Sequence, residues 1–95
     1  MLFANKIKQL REEKELLQRQ LAAALEIDTP MYSKIERGDR RAKREQIPII
    51  AEILQMNEKE LLTLWLADKI VEVIENEKET ATQALKIAQQ VIKQK

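Results

Sequence analysis

The sequence predicts an all-α protein of five or six short helices around one small aliphatic core. Apolar residues recur at intervals of three and four along most of the chain, the spacing of one face of an α-helix. Only one glycine and two prolines interrupt this pattern, and aromatic residues make up 3% of the 95 residues. A chain of this length supports a single modest core, which we expect to carry a short helical extension.

The composition argues against several classes of function. The chain contains no cysteine and no histidine, which removes disulfides, zinc-finger sites, thiol chemistry and the usual acid–base catalyst. Because the sequence also lacks a glycine-rich phosphate loop and convergent carboxylates, we expect no enzyme, no cofactor and no metal. Neither a signal peptide nor an apolar run of about 18 residues is present, so a cytoplasmic protein without membrane association is expected.

The first helix is predicted at residues 5–13. Phe3, Ile7 and Leu10 recur at helical spacing, and Asn5 is a candidate N-cap. We expect this helix to pack beneath the two helices that follow.

Two short helices joined by a tight turn are predicted at residues 18–25 and 29–36. Each carries apolar residues one turn apart, so the pair can share one buried seam with the small Ala22 where the helices cross. The seam residues are Leu21, Leu25, Tyr32 and Ile35.

The chemistry of the turn residues supports the bounds of the second of these helices. Asp28 or Thr29 can accept hydrogen bonds from its first turn as an N-cap, and Pro30 suits that turn because its φ is fixed. Gly38 follows the last apolar position and can end the helix in the left-handed conformation.

A basic loop and two further helices complete the predicted domain. Residues 37–43 contain the only glycine and no core-forming residue. A fourth helix is predicted to begin near residues 44–46, since Pro48 suits its first turn. A fifth begins at Asn57, with Glu60 three residues on in a capping-box-like start. Its apolar residues are Leu61, Leu62, Leu64, Trp65 and Leu66.

The strings IKQLREEK, QRQLAAALEI and YSKIERGDR resemble the helix-turn-helix domains of the Cro and phage-repressor type, the XRE family. The similarity covers about residues 6–65 and implies a five-helix, lambda-repressor-like helix-turn-helix domain, which we place at residues 1–67. Three positions depart from the family pattern. Glu15 and Glu26 stand where glycine is usual, and a left-handed turn without glycine is expected to cost about 1 kcal/mol. Leu17 stands where a Ser or Thr cap is usual.

Residues 68–95 are predicted to form a C-terminal helical extension beyond the resemblance. Two apolar stripes flank the polar run 75–80, so this segment is one long helix or, as we favour, two, with Asn76 and Glu79 restarting the second. Its apolar face must be buried on its own domain or on a second chain, and we favour a second chain. The candidate dimer interface consists of Trp65, Leu66, Ile70, Leu85, Ala88 and Val91. Of these residues, Trp65 is also a candidate for the core, which suits it better than an interface.

Charge is distributed unevenly along the chain. Residues 1–44 carry 11 Lys and Arg against 7 Asp and Glu, whereas residues 45–95 carry 6 against 9. The asymmetry suggests one basic face for a polyanion and one face that avoids it. Solvated helix surface would give the same count, so charge alone does not decide.

The resemblance implies that helix 29–36 enters the DNA major groove with its N-terminal residues toward the base edges. Lys34 can donate to guanine, and the Thr29 methyl group or the Pro30 ring can touch a thymine methyl group. No Arg, Asn or Gln occupies these positions, so DNA shape is expected to share the discrimination. The expected base-contacting residues are Thr29, Pro30, Ser33 and Lys34.

Phosphate contacts are expected on both sides of this helix. Gln18 begins a helix, where free backbone N–H groups can hold a phosphate, and the loop after Glu36 is rich in Arg and Lys, which neutralise phosphates. The hydroxyl of Tyr32 is a further candidate, while its ring is expected to be buried. The predicted phosphate-contacting residues are Gln18, Arg37, Arg40, Arg41, Lys43 and Arg44.

These expectations combine into a sequence-specific, DNA-binding transcriptional regulator. A domain this small makes few contacts, so a homodimeric repressor on an inverted repeat, with half-sites about 34 Å apart, is the predicted arrangement. The alternative is a protein-interaction adaptor or an antitoxin-type binder of a co-encoded partner that uses the apolar C-terminal helices.

Overall fold

The computed structural model describes residues 1–95 as six α-helices and no strand. In chain order they are α1 (Leu2–Glu13), α2 (Gln18–Leu25), α3 (Thr29–Glu36), α4 (Ile47–Leu54), α5 (Glu58–Ile74) and α6 (Ala81–Lys93), and a 3-10 turn at Arg44–Gln46 leads into α4. The all-α prediction is confirmed, and the predicted bounds of α2 and α3 agree with the structure.

The core lies among α1 to α5 and is almost entirely aliphatic. Tyr32, Ile7 and Leu54 are among its fully buried side chains, and Ala22 is buried at the α2–α3 crossing as expected. Helix α6 contributes no buried residue. The core cluster comprises Phe3, Ile7, Leu21, Ala22, Leu25, Tyr32, Ile35, Ala42, Ile47, Ile50, Ala51, Leu54, Leu61 and Trp65. Ala42 is buried, so the prediction that loop 37–43 contains no core residue was wrong.

Helix α1 begins earlier than predicted because a distant carboxylate caps it. Asp68 of α5 accepts hydrogen bonds from the backbone N–H groups of Leu2 at 3.0 Å and Phe3 at 2.9 Å. These N–H groups have no partner within the helix, so the buried Asp68 takes the place of a local N-cap. Asn5 lies inside the helix, and the prediction that it caps α1 was wrong.

Four residues adopt the left-handed conformation at helix ends. Glu15 (φ 56°), Glu26 (φ 58°) and Gln55 (φ 54°) do so without being glycine, and Gly38 (φ 81°) follows α3 as predicted. The two positions where the family usually has glycine are therefore left-handed here too. Leu17 precedes α2 at the N-cap position and provides no side-chain cap.

Trp65 belongs to the core and not to the surface. Its side chain is 6% exposed, and its indole N–H donates to the carbonyl oxygen of Ala42 at 2.8 Å. The assignment of Trp65 to a dimer interface is corrected accordingly, because its buried ring is not accessible to a second chain.

The extension consists of two helices, as favoured from the sequence. Helix α5 starts after the Asn57 cap, whose side chain accepts from the N–H of Glu60 at 3.0 Å, and continues through residue 67 to Ile74. Helix α6 starts at Ala81 without a side-chain cap, so the predicted restart at Asn76 and Glu79 was wrong.

None of the six helices combines the length and the apolar character that a membrane span requires.

Candidate nucleic-acid interface

Helix α3 is held so that one face is buried and its N-terminal face is open. Asp28 caps it by accepting from the N–H of Met31 at 2.8 Å, and Tyr32 and Ile35 anchor it in the core. Thr29, Pro30 and Lys34 are exposed and Ser33 is partly exposed. All four predicted base-contacting residues therefore lie on one accessible surface.

Arg37 organises the C-terminal side of this surface. Its guanidinium donates to the Ser33 hydroxyl oxygen at 3.1 Å and to the Asp39 carboxylate at 3.0 Å. Because one lone pair of Ser33 is occupied by a cationic donor, its hydroxyl is biased toward donating to a base acceptor.

A buried ion pair joins α1 to α3 behind the exposed face. Arg11 donates two hydrogen bonds to Glu36, at 2.6 and 3.0 Å, and a third to the carbonyl oxygen of Leu16 at 2.8 Å. The two side chains are 13% and 1% exposed. This bidentate pair fixes the end of α3 against α1, which sets the angle at which α3 is presented.

The electrostatics of this pair keep both groups charged. Burial opposes ionisation of the Glu36 carboxyl, but the polar interactions with Arg11, Tyr32 and Gln18 together outweigh burial and hold its pKa below the ordinary value. The hydrogen bond to Glu36 raises the pKa of Arg11. Glu36 therefore has a structural role. Because Arg11 compensates its negative charge, Glu36 does not repel a DNA phosphate.

Tyr32 does not reach the surface. Its hydroxyl is buried near the Glu36 carboxylate. Burial, followed by the interaction with that carboxylate, raises the pKa of Tyr32 well above its ordinary value. The expectation that this hydroxyl contacts a phosphate was wrong, because the whole side chain lies in the core.

Gln18 is the first residue of α2, as predicted, and is partly buried. Its amide donates to Glu36 at 3.2 Å, so one of its donor hydrogens is directed into the protein. The side chain also lines an open concavity of about 450 Å³ together with Asn5, Lys8, Glu36, Arg37 and Asp39. Lys8, which lines the same concavity, is exposed and was not among the predicted phosphate-contacting residues. Its position on α1, three residues before Arg11, was the only indication in the sequence that it lies near this site.

Four of the five basic residues between positions 37 and 44 are exposed, and two of the five form ion pairs. Arg37, Arg40, Lys43 and Arg44 are exposed. Arg41 forms an ion pair with Glu72 of α5, and its side chain is 26% exposed. Arg41 is thus turned toward α5, whereas the other four side chains are exposed to solvent.

Comparison with protein families identifies this arrangement. A family model described as helix-turn-helix matches residues 7–61, more than half of the chain. The chain belongs to the XRE-type helix-turn-helix family. This helix-turn-helix protein is accordingly a DNA-binding transcription regulator, from a family of regulators and not of enzymes. Comparisons with curated proteins and with solved structures gave no match.

Proposed function

We propose that the protein is a cytoplasmic, homodimeric repressor that reads an inverted repeat through α3. The observation that carries the proposal is the open N-terminal face of α3, which four exposed basic residues follow closely in the chain. A helix presented in this way fits the major groove, while flanking Arg and Lys side chains neutralise phosphates. Repression follows from the small size of the unit, since occluding a promoter needs no further part.

The exposed face of α3 defines the kind of base contact. Lys34 is a donor suited to guanine O6 or N7, and the methyl group of Thr29 and the ring of Pro30 suit a thymine methyl group. Ser33, with Arg37 on its oxygen, favours a base acceptor. Because no Arg, Asn or Gln stands at these positions, we propose that DNA shape supplies part of the specificity.

Phosphate contact is proposed for Gln18, Arg37, Arg40, Lys43 and Arg44. Arg41 was predicted with this group, and its pairing with Glu72 makes it the weakest candidate. Each phosphate that is neutralised should add to the salt dependence of binding.

The experiment is fluorescence anisotropy with a duplex from upstream of the protein's own gene and random DNA as competitor, at several salt concentrations. Binding that survives the competitor and weakens steeply with salt supports a sequence-specific regulator. Equal affinity for both duplexes would contradict specific readout of that site. Absence of binding at low salt would contradict a DNA-binding role.

A second candidate is a role in binding another protein, favoured by the exposed apolar side chains of α5 and α6. A co-encoded protein, as in an antitoxin, would be the partner. The variant Arg40→Glu/Arg44→Glu separates the two roles. It should abolish repression if DNA binding is the activity and preserve activity if partner binding is.

A further inference from the structure

The C-terminal half of α5 and the whole of α6 form a helical hairpin whose apolar side is uncovered. Val73 is 78% exposed and Ile92 is 71% exposed, and α6 has no buried residue. An open apolar groove of about 230 Å³ runs between the two helices, and contiguous apolar surface of this kind marks an interaction site. The groove is lined by Ile70, Val73, Ile74, Ala84, Leu85 and Ala88.

The two ends of the hairpin carry opposite charge. Residues 81–95 contain three lysines and no acidic residue, whereas residues 68–80 contain five acidic residues and two lysines. Within the second segment Asp68 caps α1 and Glu72 pairs with Arg41. The acidic residues that make neither contact lie around the turn, which also carries Lys78. The last turn of α6 and the residues after it contribute the opposing lysines. These are Glu77 and Glu79 at the turn, and Lys93 and Lys95 at the other end. Glu75 lies on the other side of α5, where it lines a cavity together with Met1 and Glu72.

This polarity makes the surface complementary to itself. In a two-fold symmetric dimer each patch meets its counterpart twice, so a surface with one acidic and one basic end pairs with a reversed copy of itself. A parallel arrangement would place acidic turn on acidic turn and lysine on lysine.

The sizes of the apolar side chains on α6 favour the same orientation. The start of the helix presents Ala81 and Ala84, and its end presents Val91 and Ile92. Antiparallel pairing places small residues opposite large ones, which fills the space between the helices. Ala88, close to the middle of α6, allows the two helix axes to approach.

We propose that the occupant of this surface is the same hairpin of a second copy, with the two α6 helices antiparallel and Lys93 and Lys95 of one copy beside the acidic turn of the other. This pairing specifies the interface of the homodimer in the proposed function, and its biological role rests on that proposed function. Because it is tested without DNA, its failure is distinct from a failure to bind an operator.

The first test measures the dimer dissociation constant by sedimentation equilibrium. Lys93→Glu/Lys95→Glu should raise the dissociation constant at least about tenfold, and adding Glu77→Lys/Glu79→Lys to the same chain should restore it. Lys86→Glu, near the middle of α6, is the control and should change it little. All positions are exposed, and helix content by circular dichroism verifies folding. A monomeric wild-type chain, or an unchanged constant for Lys93→Glu/Lys95→Glu, would overturn the proposal.

The second test uses the absence of cysteine from the natural chain. Ala88→Cys should form a disulfide between copies on mild oxidation, because this position lies near the two-fold axis. Ala81→Cys should not, since antiparallel helices place the two Ala81 positions about 20 Å apart and a disulfide needs Cα atoms within about 7 Å. Efficient linking through Ala81→Cys would indicate parallel helices and overturn the arrangement.

Discussion

Glu36 is the residue on which the orientation of α3 depends. It is buried, receives two hydrogen bonds from Arg11 and one from Gln18, and its pKa is lowered. The folded protein thus binds this proton less tightly than the unfolded chain does. The stabilisation is complete above the ordinary pKa of 4.5 and is lost as the pH falls through the lower pKa of the folded state.

Replacing Glu36 with Gln tests this pair. Because the partly buried Arg11 guanidinium loses its counter-charge, the variant should be less stable by about 3 kcal/mol at pH 7. Its stability should also vary less between pH 6 and pH 3 than that of the wild-type chain. Urea unfolding at a series of pH values measures both effects. Glu12→Gln, an exposed change on α1, is the control, and a parallel pH dependence in wild type and Glu36→Gln would contradict the assignment.

Lys34 and Lys43 are both exposed lysines but are expected to act differently on DNA. Lys34→Ala removes a donor from the base-reading face and should cost about 1–3 kcal/mol on the operator and little on random DNA. Lys43→Ala removes a phosphate contact, so affinity should fall similarly on both DNAs and the salt slope should decrease by about one. Anisotropy titrations over a salt series distinguish the two patterns. Equal losses on both DNAs for Lys34→Ala would exclude it from base readout.

At the scale of the helices, two turns contain a residue other than glycine in the strained left-handed conformation. Glu15 and Glu26 are left-handed with φ of 56° and 58°, a conformation that glycine adopts without a Cβ clash. Glu15→Gly and Glu26→Gly should each stabilise the protein by about 1 kcal/mol in chemical denaturation. Glu12→Gly, inside α1, is the matched control and should destabilise it by about the same amount. Destabilisation by Glu26→Gly would mean that its side chain makes a compensating interaction.

The features that could be read from the sequence are those that depend on neighbours along the chain. The spacing of Leu21, Leu25, Tyr32 and Ile35, with the Asp28 cap, was sufficient for the bounds of α2 and α3. The exposure of Lys34 followed from the same spacing.

Features created by residues far apart in sequence could not be predicted in this way. Helix α1 starts early because Asp68 caps it, and Arg41 leaves the basic surface because Glu72 holds it. Both acidic residues lie on α5, and no local pattern indicates which basic or N–H group they meet. The apolar pattern already favoured the core for Trp65, and its burial and the hydrogen bond from its indole N–H to the Ala42 carbonyl oxygen agree with that assignment.

For the whole molecule, the size of one copy limits what it can read. The chain measures 42 × 27 × 22 Å and presents a single α3, so two half-sites about 34 Å apart require two copies. A dimer gains affinity on an inverted repeat because binding of the first half-site raises the effective concentration of the second α3. The α5–α6 hairpin lies outside the α3 surface, so its dimerisation can be altered while the DNA contacts are kept.

The variant Lys93→Glu/Lys95→Glu, which is expected to weaken the dimer, therefore tests whether dimerisation through α5 and α6 increases the affinity for DNA. Below the dimer dissociation constant, Lys93→Glu/Lys95→Glu should bind an inverted repeat at least about tenfold more weakly than wild type. Its affinity for a duplex with one half-site should be nearly unchanged. Anisotropy with both duplexes at equal ionic strength gives the comparison. An equal loss on the single half-site would mean that these lysines contact DNA themselves, because only direct contact would weaken binding where no second copy is needed.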